Sequence, residues 1–326
     1  MGKGKKKKAN KGKKKDGKKT EDDTGVSGSS LANGGKKIRE DTEPFSDIVS
    51  WTLQPSQEQK DIAIAACANR TEDPLKNWTR PHNEECPICM LLLPLRKLET
   101  NYCVTCGKTV CLGCMISTGL VHKRDGGDRE TAIEKAMTCP YCRSNTEVDD
   151  DEFRLEKEMQ RANEGNGESM SRIATSYFDG GMGLRQDKDE GLKWYYRALE
   201  AGNGLAAYCL GMCYWKGDGI EKDIEKALEY CQKSADLGYI PAFSLIGAIL
   251  MNKGDIGEGM LNYRKAAICG ESNELLFNVL RDGFKYGYIT KDEYALTLRE
   301  NQAACNEMKS DGRDRIKVWL HKRMPS

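Results

Sequence analysis

The sequence predicts a small cysteine-rich finger followed by an all-α helical-repeat solenoid, with a disordered basic tail in front. Three observations predict it. Four C-x-x-C pairs fall within the 57 residues from Cys86 to Cys142. Downstream of residue 153 the pattern of apolar residues and glycines recurs every 36 residues. Eleven of the first nineteen residues are Lys.

The tail comes first. Residues 1–37 are Lys, Gly, Ser, Asp and Asn with almost nothing apolar, so burial cannot offset the entropy of ordering them. Such a segment is a solubilising tail, a nuclear address or a weak nucleic-acid contact. The start, Met1-Gly2-Lys3-Gly4-Lys5-Lys6, lacks the Ser or Thr of a myristoylation site. No apolar run approaches a bilayer span, and the N-terminus has no signal core. These features exclude a membrane partner and point to an intracellular protein, cytoplasmic or nuclear. In that reducing setting fourteen cysteines are not a disulfide framework, and the Asn69 and Asn77 sequons carry no sugar.

Residues 38–84 form a helical lead-in. One helix is expected over Ser56–Asn69, with Ile62, Ala65 and Ala66 on the face that packs against the finger.

The finger occupies 85–145. Its pairs are Cys86/Cys89, Cys103/Cys106, Cys111/Cys114 and Cys139/Cys142, separated by thirteen, four and twenty-four residues. A C-x-x-C turn offers two sulfurs to one tetrahedral metal, and a second pair completes the shell. Four pairs therefore hold two Zn2+ ions in closed sites. A closed site has no open position to activate water, so this is not a hydrolase. Thioredoxin-like chemistry needs one such pair at a strand–helix junction, not four in a cluster. With only four residues between Cys106 and Cys111, the spacing permits both sequential and interleaved sharing of the metals. Eight thiolates with two zinc ions take the formal charge of +1 to about −3. The other six cysteines (Cys67, Cys209, Cys213, Cys231, Cys269 and Cys305) read as small buried apolar residues.

After a short acidic linker, the repeats span 153–271. Asp187, Trp194, Ala198 and Gly202 recur as Asp223, Tyr230, Ser234 and Gly238, and Ala206 and Leu210-Gly211 as Ala242 and Ile246-Gly247. A period of this length with two helical stripes marks a stack of helix pairs, none of which can bury its apolar face alone. The third copy is four residues shorter, so Gly238 answers to Gly270. Gly211 is placed for close helix approach, Gly217 and Gly219 for the turn between helices, Gly238 for a left-handed cap and Asp223 for an N-cap. Trp194, Tyr195, Tyr196, Tyr214 and Trp215 read as core. Residues 272–309 form a helical cap on the open end, and 310–326 a tail.

Ala206–Ala227 carries the pattern A-x-x-x-L-G-x-x-Y-x-x-G-x-G followed by D-x-x-x-A, which resembles Sel-one-like repeats, relatives of the tetratricopeptide repeat. The resemblance covers 168–271 in three copies and implies a surface that binds a protein client. Cys86-Pro87-Ile88-Cys89 and Cys139-Pro140-Tyr141-Cys142-Arg143 resemble the two ends of a RING domain, and the chain over 85–271 is similar to RING proteins with appended Sel-one-like repeats. Several things follow from that resemblance alone. The finger is cross-braced, so Cys86, Cys89, Cys111 and Cys114 share the first zinc, and Cys103, Cys106, Cys139 and Cys142 the second. It acts as a ubiquitin ligase, positioning a loaded ubiquitin-conjugating enzyme without forming a covalent intermediate. Ile88 and Pro140 dock that enzyme, with Ile116 or Leu120 as a central apolar contact. Arg143 is the cationic linchpin, a role suited to a fork of donors that never deprotonates. The alternative is a non-enzymatic adaptor working through the repeats, with Arg143 offsetting thiolate charge. Cys106 stands where many RING fingers have histidine, and His82 and His122 lack ligand spacing. The run from Cys103 to Cys114 also resembles phosphoinositide-binding FYVE fingers, but Glu99-Thr100-Asn101-Tyr102 precedes it without the cations a phosphate needs.

Overall fold

A computed structural model describes residues 56–81, 84–95, 99–117, 126, 128, 138–145 and 150–314. All of them belong to one compact unit, Pro44–Ser326. The lysine tail, Leu120, His82 and His122 lie outside the described residues.

The described chain runs α1 (Gln57–Ala68), β1 (Thr100–Tyr102), β2 (Thr109–Cys111), α2 (Asp151–Asn163), α3 (Gly167–Asp179), α4 (Lys188–Glu200), α5 (Gly204–Lys216), α6 (Ile224–Asp236), α7 (Pro241–Lys253), α8 (Ile256–Ile268), α9 (Glu274–Lys285) and α10 (Lys291–Glu307). β1 and β2 form an antiparallel ribbon pairing Thr100 with Cys111 and Tyr102 with Thr109. Helices α3/α4, α5/α6 and α7/α8 are three antiparallel hairpins, each packed on the next.

Local chemistry sets each hairpin. The first helix of the first two copies starts at an Asn cap, Asn166 or Asn203, whose side chain accepts from the amide three residues on. It ends at a left-handed glycine, Gly180 or Gly217. The second helix starts at an Asp cap, Asp187 or Asp223. In the third copy Pro241 opens α7, and Gly254 is followed at once by the cap Asp255. Two residues thus do there what 217–223 do in the second copy, and this is where the third copy shortens.

The repeats bury two adjoining clusters, one around Ile173, Ala198 and Leu210 and one around Cys231, Leu245, Ile249 and Ala266. Gly211 is needed between α5 and α6, because a Cβ there would stand 2.5 Å from Cys231 Sγ. Trp194, Tyr195 and Tyr214 are buried, and Tyr196 and Trp215 are half-buried against these clusters. Helix α10 closes the stack. Asn301 donates to the carbonyls of Ala267 (2.7 Å) and Glu271 (2.9 Å) at the end of α8, and the buried Arg264 donates to Thr297 (3.0 Å).

Two expectations need correcting. Helix α1 has its Ser56 capping box, but it packs on α8 and the α9–α10 turn rather than on the finger. Its buried face is Ala63 and Cys67, while Ile62 is exposed. The reason is Arg264: fully buried on α8, it requires carboxylate partners, and Asp73 just after α1 supplies one. The second correction concerns the expected tail from residue 310. Residues 311–314 form a helical turn, and Arg313 is buried against the finger. Among the described residues no helix is long and apolar enough to cross a membrane.

Candidate metal centres

Three of the four C-x-x-C pairs fold as the same knuckle. The amide of the first cysteine donates to the carbonyl five residues on: Cys86 to Leu91 (2.9 Å), Cys103 to Lys108 (3.0 Å), Cys139 to Ser144 (2.8 Å). The amide four residues on returns to the first cysteine's carbonyl, from Met90, Gly107 and Arg143 at 2.9, 2.8 and 2.8 Å. Closing so tight a loop puts that residue in the left-handed region, at φ 55°, 67° and 62°. The third pair, Cys111/Cys114, is built otherwise. Cys111 ends β2, and Cys114 lies in the helical turn over 112–117.

The fold gathers the sulfurs into two groups. Cys86, Cys89, Cys111 and Cys114 form one, and Cys103, Cys106, Cys139 and Cys142 the other, with all ligand atoms of a group within 4.8 Å of one another. The first pair is therefore grouped with the third, and the second with the fourth. The β1–β2 ribbon sets the second pair beyond one end and starts the third at the other, which keeps these two pairs in different groups. Sulfurs about 2.3 Å from a tetrahedral zinc lie about 3.8 Å apart. The separations here are 3.8 Å (Cys89–Cys111), 3.6 Å (Cys103–Cys142) and 3.8 Å (Cys106–Cys139), and all eight cysteines are free of disulfides. The donor set fits a metal ion at each centre.

The thiols are not equivalent. Burial pushes Cys86 up, but amides of Cys111, Cys89 and Ile88 outweigh it and bring the thiol down to about 7. Cys142 is likewise opposed by burial and brought to about 7 by the Ser144 hydroxyl, 2.9 Å away. Burial holds Cys106, Cys111, Cys114 and Cys139 above the ordinary thiol value. Binding a metal to such a set releases the protons that its thiols carry.

Of the residues proposed to dock a partner, Ile88 is exposed on the first knuckle, and Pro140 is half-buried on the fourth. Ile116 is half-buried in the turn after Cys114. Arg143 is exposed, and among the described residues its side chain makes no hydrogen bond or ion pair. Met90 and Tyr141, which sequence reasoning passed over, are also exposed beside these residues in the chain.

Two arginines that hold the finger were missed too. Arg161 of α2 donates to the carbonyls of Val104 and Thr105 on the second knuckle, beside an ion pair with Glu158 at 2.9 Å. Tyr102 of β1 donates to Glu158 (3.1 Å) under the Arg172 guanidinium, 3.5 Å from its ring centroid. Arg313 donates to the carbonyl of Leu92 (2.7 Å) on the first knuckle. Neither carries a local signal, because each acts across more than fifty residues of chain.

The family model of the Sel1 repeat matches residues 167–203 and 204–239. These are the α3/α4 and α5/α6 hairpins. Both segments are Sel1 repeats. The third hairpin, α7/α8, continues the stack with its shortened connector. The chain is 34% identical over 56 residues to DAP3-binding cell death enhancer 1 of Rattus norvegicus, a match that covers 17% of this chain and 11% of that protein. A Sel1 repeat protein from Oxalobacter formigenes is 26% identical, with TM-score 0.35, covering 39% of this chain and 97% of that one. The protective antigen c5321 of uropathogenic Escherichia coli, with an SLR fold, is 19% identical, with TM-score 0.41, covering 66% of this chain and 42% of that one. The chain thus spans about a tenth of the curated relative and less than half of c5321. Sel1 repeats serve as a scaffold for protein–protein interaction, and this chain couples them to a finger that could hold two metal ions.

Proposed function

We propose that the finger is a RING-type module holding two zinc ions, and that the protein is a ubiquitin ligase. The finger receives a ubiquitin-conjugating enzyme, and the Sel1 repeats present a protein client. The observation that supports this reading is the interleaved grouping of the eight cysteine sulfurs, first pair with third and second with fourth. That arrangement sets the first and fourth knuckles on separate centres, and both expose apolar side chains: Ile88 and Met90 on one, Tyr141 on the other. An exposed apolar residue on a rigid knuckle suits docking, because little entropy is lost when it is buried. Arg143 sits exposed at the end of the fourth knuckle, free of any internal partner among the described residues. A cation so placed can favour one pose of a bound thioester without contributing to the fold.

The adaptor reading is favoured by a different observation. The first and second knuckles are tied into the helical body through Arg313 and Arg161, as a structural module would be. Single-turnover discharge of ubiquitin from a panel of loaded conjugating enzymes, with zinc content measured in parallel, separates the two. The ligase reading expects wild-type stimulation, weakened docking for Ile88→Ala, and slowed discharge with docking and zinc retained for Arg143→Ala. No stimulation with any enzyme of the panel leaves the adaptor.

A further inference from the structure

We infer that Arg313 is the counter-cation of the Cys86–Cys89–Cys111–Cys114 centre, so that metal retention there is linked to docking of the chain's 310–314 turn on the finger. The inference rests on the two-metal reading. Four thiolates around a divalent ion carry −2, and burying that charge without a cation is costly. The two centres meet the cost differently. In the second centre Cys142 is exposed to water, and the Ser144 hydroxyl lies 2.9 Å from it and 3.4 Å from Cys103. In the first, none of the four sulfur residues is exposed, and the guanidinium of Arg313 comes to it from 224 residues away.

Arg313 is itself 5% exposed. Its Nη2 lies 3.4 Å from Cys89 Sγ and from the Leu91 carbonyl, and its Nη1 donates to the carbonyls of Leu92 (2.7 Å) and Met308 (2.6 Å). Among the described residues it has no carboxylate partner. A buried guanidinium requires an anion, and among the described residues the one within reach is the sulfur cluster. The site is shaped for it: a Cβ on Gly113 would stand 3.0 Å from Arg313 Cγ and 3.2 Å from its amide nitrogen. One side chain thus joins the first knuckle, a ligand sulfur and the end of α10. Arg161 differs in kind, since it binds carbonyls of the second knuckle and touches no sulfur. Coupling of this sort is reciprocal: what holds the metal holds the turn, and the converse.

The test uses the full chain. Zinc is counted, then its release to a chromogenic chelator is followed for wild type, Arg313→Met and Arg313→Lys. Alkylation of the cysteines during release is mapped by mass spectrometry. Removing a partner of a metal ligand typically costs 10–100-fold in affinity, so Arg313→Met should speed loss of one zinc equivalent by about that factor. Cys89 and Cys114 should be alkylated first, while the second equivalent leaves at the wild-type rate. Arg313→Lys, which keeps the charge and loses the fork, should fall between. In the reverse direction, zinc removal from wild type should raise deuterium uptake over 308–314. Unchanged release, equal acceleration of both equivalents, a Lys variant no better than Met, or unchanged uptake would each overturn the proposal. Should Arg313→Met lose its helical signal, Arg313→Lys and the wild-type exchange decide alone. A wild type that binds no metal overturns the metal reading itself, and this proposal with it.

Discussion

Arg70, just past α1, lies 2.6 Å from the carboxylate of Glu293 in α10, 223 residues later in the chain. The same carboxylate is 3.2 Å from Nη1 of Arg264, whose Nη2 binds Asp73. Two arginines and two carboxylates therefore clasp the lead-in to α8 and α10. Arg264 is fully buried and Glu293 nearly so. Removing one member of a buried charge cluster leaves its partners without compensation and costs about 3–5 kcal/mol. Arg264→Leu should lower the unfolding free energy by about that amount in urea titration. A loss under about 1 kcal/mol would show that the cluster is not the clasp.

The clasp also predicts an acid response. Burial alone would raise the Asp73 pKa, but its hydrogen bonds from Arg264 and Leu75 outweigh that and hold it below the ordinary value. A depressed folded value means that the stabilisation is complete above the unfolded pKa, about 3.9, and is lost as pH falls through the folded one. Asp73→Asn should therefore cost stability at neutral pH and reduce its fall below about pH 4. Thermal melts of both proteins from pH 7 to pH 3 check the sign.

The clasp shows where sequence reading stops. The hairpins were legible because their signals are local: Asp223 caps α6, Gly217 and Gly219 turn the chain, and the apolar spacing returns every 36 residues. The eight cysteines were legible for the same reason. The pattern also marks helix α1 to within a residue, but it does not mark what the helix packs on. Ile62 looked like the core face, but Ala63 and Cys67 are, because packing is decided by Arg264 far along the chain. Arg313 looked like part of a tail, and only the returning fold brings it to Cys89.

Gly211 offers a test of the repeat packing. A methyl group there would meet Cys231 Sγ at 2.5 Å and the Ala227 carbonyl at 3.2 Å. Overpacking a filled contact costs about 1–3 kcal/mol, so Gly211→Ala should destabilise by that much. Cys231→Ala in the same chain removes the closer clash, and the double variant should be more stable than the sum of the single effects by at least about 0.5 kcal/mol. Simple additivity in denaturant melts would mean that the helices part rather than clash.

Metal removal should divide the molecule. Neither repeat cluster contains a ligand cysteine, so the helices keep their own core. Chelation, or Cys86→Ser with Cys139→Ser, should spare most of the far-ultraviolet helical signal while making the cysteines of 85–145 reactive to alkylation. Collapse of the helical signal on chelation would make the finger part of the helical core.

Arg143 gives the sharpest test of the functional reading, because its backbone and its side chain can be separated. It holds φ 62°, as Met90 and Gly107 do at 55° and 67° in the matching knuckles. For a residue with a Cβ this conformation costs roughly 1–2 kcal/mol. Glycine avoids that cost but gives back about 0.4–1 kcal/mol through the freer unfolded chain. Arg143→Gly should thus leave the finger as stable as before or stabler by up to about 1.6 kcal/mol, whereas Arg143→Ala should gain nothing. If the guanidinium is a linchpin, both variants should lose ubiquitin discharge alike, and Arg143→Lys should recover part of it. If Arg143 serves only to close the knuckle, Arg143→Gly should match or exceed wild type in every assay. Zinc release, thermal melting and single-turnover discharge on the four proteins read the two properties independently. A glycine variant with a sturdier finger and no discharge would assign the cation to function and the left-handed turn to the fold.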